Sequence, residues 1–76
     1  MDIPKLTGRQ IKYIRSMLDL SQSELAAKVG VSQPTVYRME MDAAREYESI
    51  AVMRIKSLAD ENHLLVPAHE AFSGRP

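Results

Sequence analysis

The 76-residue sequence predicts an all-α fold, a compact domain of four to five short helices. Three observations carry this expectation. A helix-start signal occurs three times in the first half, apolar residues recur at helical spacing behind each start, and β-branched residues are sparse before position 50. With no cysteine, disulfides and Cys-based metal sites are excluded. A core this thin makes a second subunit the expected additional stabiliser.

The first helix is predicted over about residues 8–18. In "LTGRQI", Thr7 suits the N-cap, Gln10 completes a capping box, and Leu6 and Ile11 form the hydrophobic staple. Ile11, Ile14 and Leu18 then lie on one stripe, flanked by Tyr13 and Met17. In "LSQSEL" the same roles fall to Ser21, Glu24, Leu20 and Leu25, which starts a second helix over 22–29 with Leu25, Ala26 and Val29 inward. In "VSQPTV", Ser32 caps, Val31 pairs with Val36, and Pro34 sits in a first turn where its missing N–H does little harm, opening a third helix over 33–40. Between the second and third helices Gly30 supplies the left-handed backbone of a sharp turn, and Ala26 is small enough for a helix to cross close by. Two short helices meeting through such a turn form a helix-turn-helix, which can present its second helix to a groove.

A fourth helix is expected over about Arg45–Asn62, with Tyr47, Ile50, Ala51, Met53, Ile55 and Leu58 along a wide apolar arc. The domain is thus expected to span 1–62, with a tail at 63–76. In that tail Leu64, Leu65 and Val66 form an apolar run ended by Pro67, and "AHEAFSGRP" reads as a frayed end in which Phe72 finds an apolar contact.

Residues 7–62 resemble the Cro/C1-type, or XRE-type, helix-turn-helix regulators. Gln22, Leu25, Ala26, Val29, Gly30, Val31, Val36 and Met39 carry the resemblance, within the run "SQSELAAKVGVSQPTVYRME". It implies a lambda-repressor-like DNA-binding domain, a role in transcription, and no cofactor. The sequence departs from the family after Glu40. Where relatives carry a small residue, glycine and basic residues, this chain reads Met41-Asp42-Ala43-Ala44-Arg45-Glu46, leaving Arg45 as the loop's one cation for phosphate.

A helix N-terminus with its free N–H groups suits a phosphate, and the second helix of such a pair enters the major groove N-terminus first. Gln22 is therefore expected on phosphate, and Gln33 on a base edge, where a carboxamide matches adenine N6 and N7. With Val36 and Met39 inward, Pro34, Tyr37, Arg38 and Met41 point outward. Arg38 fits guanine O6 and N7, with phosphate as its competing role. Pro34 and Thr35 suit a thymine methyl, and Tyr37 the backbone. The resemblance also places Ser32 against phosphate. Arg15 and Glu40 fall on inner edges of their helices, where a carboxylate is costly unless paired, and the resemblance implies a structural ion pair between them.

The formal net charge is zero, yet residues 1–38 carry a balance of +3 and residues 39–76 a balance of −3. That split suits a first half facing a polyanion, although two solvated faces of a neutral protein would share it. An enzyme is not expected. His63 and His69 lack metal-ligand spacing, no Gly-rich phosphate loop occurs, and Ser21 and Ser32 are occupied as caps. The N-terminus lacks a basic stretch followed by an apolar run, and no segment approaches membrane-spanning length, so a cytoplasmic protein is expected.

One reading helix covers few base pairs, so a homodimer on two half-sites is expected. Met53 and Leu64, Leu65 and Val66 are the candidate interface. The resemblance implies that 64–67 is a strand pairing with its twin; a tail packed over its own core suits the run equally. The expected function is sequence-specific binding of double-stranded DNA by a small dimeric transcriptional regulator, a repressor that inserts the 33–40 helix into the major groove. Two alternatives stand beside it: an antitoxin that binds its own operator and a toxin, and a protein-interaction module that has lost DNA binding.

Overall fold

The computed structural model describes residues 4–73. Five helices and a two-stranded bridge follow in the order β1 (Leu6–Thr7), α1 (Gly8–Met17), α2 (Gln22–Val29), α3 (Gln33–Met41), β2 (Glu46–Tyr47), α4 (Ile50–Glu61) and α5 (His69–Ser73). The mostly helical architecture agrees with the sequence expectation.

The three helix starts form as the sequence indicates. The Gln10 amide donates to Thr7 Oγ1 while Gln10 Oε1 accepts from the Thr7 amide, and Ser21 and Glu24 exchange the same two bonds. Those bonds from Ser21 hold the exposed Glu24 carboxyl below the usual carboxylate range. Ser32 caps α3 by accepting from the Thr35 amide, with Pro34 in the first turn.

Helix ends use one device three times. Gly30 closes α2 at φ 81°, and Asp19 and His63 take the same left-handed conformation after α1 and α4, at φ 58° and 55°. At each of those two ends a paired set of amides turns back: Asp19 N–H to Ser16 O with Leu20 N–H to Arg15 O, and His63 N–H to Asp60 O with Leu64 N–H to Ala59 O. The residue that follows each turn, Leu20 or Leu64, packs on the core. Neither Asp19 nor His63 carries the glycine signal that marks Gly30.

The core draws Leu6 from β1, Ile11 and Ile14 from α1, Leu25, Ala26 and Val29 from α2, Val36 and Met39 from α3, and Val52, Ile55 and Ala59 from α4. The fourth helix departs from expectation. It begins at Ile50 behind the cap Ser49, whose hydroxyl accepts from the Val52 amide, and not at Arg45. Starting the period there turns Val52 and Ala59 inward and leaves Ile50 and Met53 exposed. The residues before it extend instead: Tyr47 pairs with Leu6 and Glu46 with Thr7 in antiparallel register.

Residues 64–68 form no strand within the chain, and His69–Ser73 is helical where the sequence suggested a frayed end; residues 74–76 lie outside the described range. This tail folds back over the start of α1. Gln10 Nε2 donates to Pro67 O, Arg9 Nη1 to Phe72 O, His69 Nδ1 lies 3.1 Å from Thr7 Oγ1, and the Phe72 ring meets Tyr13 edge-on.

Gly8 sets how closely α1 meets the end of α3. A Cβ there would collide with the Met39 carbonyl and lie 2.6 Å from the Asp42 carbonyl, both of them backbone. A Cβ on Gly30 would meet only the tip of the Arg54 side chain, although φ is left-handed. Gly30→Ala is therefore expected to cost about 1–2 kcal/mol, the usual penalty of a left-handed residue with a side chain. Gly8→Ala is expected to cost more, because backbone cannot step aside; urea midpoints of the two variants against the parent measure the difference.

Candidate nucleic-acid interface

The polar centre of the molecule is built from three helices. Arg15 on α1 presents its fork to Glu40 on α3, Nε to Oε2 at 2.7 Å and Nη2 to Oε1 at 3.0 Å, while its Nη1 donates to Leu20 O at 2.9 Å. The Glu40 side chain is 4% exposed. Two parallel charge-assisted bonds are the arrangement that makes such burial tolerable. The bond to Glu40 raises the Arg15 pKa above its ordinary value, with burial opposing in part. The ion pair expected from the sequence is thus present in the geometry.

The network continues outward. Gln22 Nε2 donates to Glu40 Oε1 at 3.0 Å, and Gln33 Nε2 donates to Gln22 Oε1 at 2.7 Å. Four side chains from α1, α3, α2 and again α3 therefore form one chain of hydrogen bonds. The sequence placed Gln22 and Gln33 on separate tasks and missed that they touch. No local signal reports it, because eleven residues separate them and only the tight turn at Gly30 brings the two helix starts together.

Counting donors and acceptors shows what remains for a ligand. Gln22 keeps one N–H, a group suited to a phosphate oxygen. Gln33 keeps one N–H and its whole carbonyl oxygen, a donor and an acceptor side by side. The internal bonds fix the orientation of both carboxamides before any ligand arrives.

Beside Gln33, the outer face of α3 carries the exposed Pro34, Tyr37, Arg38 and Met41, as the helical angles required. Thr35 is half-buried, and its hydroxyl meets Ser32 Oγ at 2.9 Å and Arg38 Nη2 at 3.4 Å. Arg38 keeps the rest of its fork. The loop after α3 is poorer in free cations than its one arginine suggests: Arg45 lies over the Tyr47 ring, 5.3 Å from its centroid, and 3.9 Å from Asp42. Of the candidate dimer residues, Met53 and Leu65 are exposed, the latter at 87%, whereas Leu64 and Val66 pack against the chain's own core.

Among the described residues no helix is long and apolar enough to cross a membrane, and no cluster of His, Asp and Glu is placed to hold a metal ion.

A capped helix, a left-handed glycine and a second capped helix whose polar start projects from the surface define a helix-turn-helix. Residues 11–46 match the profile described as helix-turn-helix, which is that of the Cro/C1-type family. That family consists of DNA-binding transcription regulators and not of enzymes. No curated protein matches the chain.

Removing one partner of the buried pair strands the other. Arg15→Ala is expected to cost about 3 kcal/mol or more in urea unfolding, whereas Arg15→Leu combined with Glu40→Leu recovers much of that loss. The double variant still leaves Gln22 without its anchor, so a folded protein with weakened duplex binding is the expected outcome. An Arg15→Ala protein that melts like the parent would refute the structural role.

Proposed function

We propose that this chain is a small dimeric transcriptional regulator, acting as a repressor, that inserts α3 into the major groove of double-stranded DNA. The observation that carries the reading is the hydrogen-bonded chain Arg15–Glu40–Gln22–Gln33, which aims a preset donor and acceptor from Gln33 outward at the tip of α3. A carboxamide held this way matches adenine N6 and N7 without first having to be ordered. Arg38 supplies the second base contact, its fork suited to guanine, while Pro34 and Thr35 offer apolar atoms to a thymine methyl. Tyr37, Ser32 and the remaining N–H of Gln22 serve the backbone.

Binding to mixed-sequence duplex is expected to fall with salt along a straight log–log line. Arg38→Ala or Gln33→Ala should each relax preference at one base-pair position by about 1–3 kcal/mol in a competition assay. A protein that binds no duplex at low salt belongs instead to the interaction modules that keep this fold without DNA, a reading favoured by the exposed acidic residues Asp42, Glu46 and Glu48.

Dimerisation would bring two reading helices to half-sites one turn, about 34 Å, apart. Met53 and Leu65 are the exposed apolar residues that serve the contact, with Leu64 and Val66 setting the path of the segment. Sedimentation at high concentration should show a dimer that Leu65→Asp weakens; a monomer unaffected by the change would overturn this interface.

A further inference from the structure

A neutral protein must find its attraction for DNA in local charge, and several cations here are engaged. Arg15 is held by Glu40, Arg54 donates to Val29 O at the end of α2, Lys56 pairs with Asp60 at 2.6 Å, and Arg45 leans on Asp42 and Tyr47. Helix α1 is different on its outer side. Its exposed face carries Arg9 and Lys12, and Lys12 meets no carboxylate within ion-pair distance among the described residues.

These two cations stand on a surface depression of about 480 Å³ between α1 and the end of α3. Ser16 adds a hydroxyl to its floor, and Phe72 contributes an apolar wall. Phe72 O accepts from Arg9 Nη1 at 3.4 Å, which steadies the guanidinium and leaves most of its fork open. Glu40 also borders the depression. Its charge is met by the Arg15 fork, so it does not act there as a free carboxylate. The same Glu40 holds Gln22, so the depression opens one side chain away from the group that meets phosphate in the reading above.

We propose that this depression receives a backbone phosphate of the DNA strand that passes Gln22, with Lys12 and Arg9 as the cations and Ser16 as a hydroxyl donor. The contact takes over work that the acidic loop after α3 cannot do. It rests on the DNA-binding reading and extends it to a helix outside the helix-turn-helix pair.

The test is fluorescence anisotropy on a mixed-sequence duplex and on a selected duplex over a salt series, with Lys12→Ala and with Lys28→Ala as control. Lys28 lies by a separate depression with Leu58 and Asn62. Lys12→Ala should weaken both duplexes by the same factor, about three- to tenfold near 0.1 M salt, and shrink the log–log slope by about 1. Lys28→Ala should leave the slope unchanged. A parental slope that Lys12→Ala does not alter overturns the site while leaving DNA binding intact, and a parent with no salt-dependent binding removes the DNA reading itself. A parallel titration with inorganic phosphate, followed by amide NMR shifts at Lys12 and Ser16, separates the sources. Saturation by free phosphate together with an unaltered duplex slope would make this a small-anion site and refute the DNA assignment.

Discussion

The buried pair between Arg15 and Glu40 is the constraint on which the arrangement depends. A carboxylate enclosed by three helices is stable only with its charge met and its lone pairs occupied, and here an arginine fork and a glutamine amide do both. Satisfying that one group fixes the rotation of α1 against α3 and the position of α2 between them. It also fixes two carboxamides at the surface. Stability and recognition therefore share a component, and the side chains that read a duplex inherit their order from a core requirement.

Backbone geometry allows the helices to approach closely enough for this. Gly8 lets the first turn of α1 sit against carbonyls at the end of α3, and Ala26 keeps α2 slim where its neighbours cross. Left-handed residues end α1, α2 and α4, so each chain reversal is completed within a few residues. Such tight corners leave little slack, which is how an 8.6 kDa protein with no cysteine holds an ion pair whose carboxylate is buried.

Much of this was legible in the sequence because it is local. Each cap declares itself within four residues, and Gly30 and Pro34 each admit few conformations, so α1, α2 and α3 could be placed from the pattern alone. The Arg15–Glu40 pair was legible for a different reason: both residues fall on inward edges of their helices, and the family resemblance implied that they pair. What escaped depends on partners distant in the chain. The Leu6–Tyr47 pairing converts an apparent first turn of α4 into an extended segment, because a two-residue bridge has no periodicity of its own. Ser49 lacks the Glu or Gln that would complete a box, so the true start of α4 was obscured by the apolar Tyr47 before it. Asp19 and His63 took the place of glycines without the composition that marks one. The contact of Gln22 with Gln33 required knowing how the turn folds, which no spacing rule encodes.

The loop between α3 and α4 illustrates how backbone bonding decides dynamics. The first amides of α1 need acceptors, and two of them are the loop's own carbonyls: Gly8 N–H donates to Arg45 O at 3.1 Å and Arg9 N–H to Ala43 O at 2.9 Å. The segment therefore cannot open without exposing the start of α1 to water. In the language of local unfolding, the loop and the first helix form one cooperative unit, and their amides should exchange with solvent through a shared opening event and not one by one. A segment that looks in sequence like a polar connector has the kinetic character of a helix.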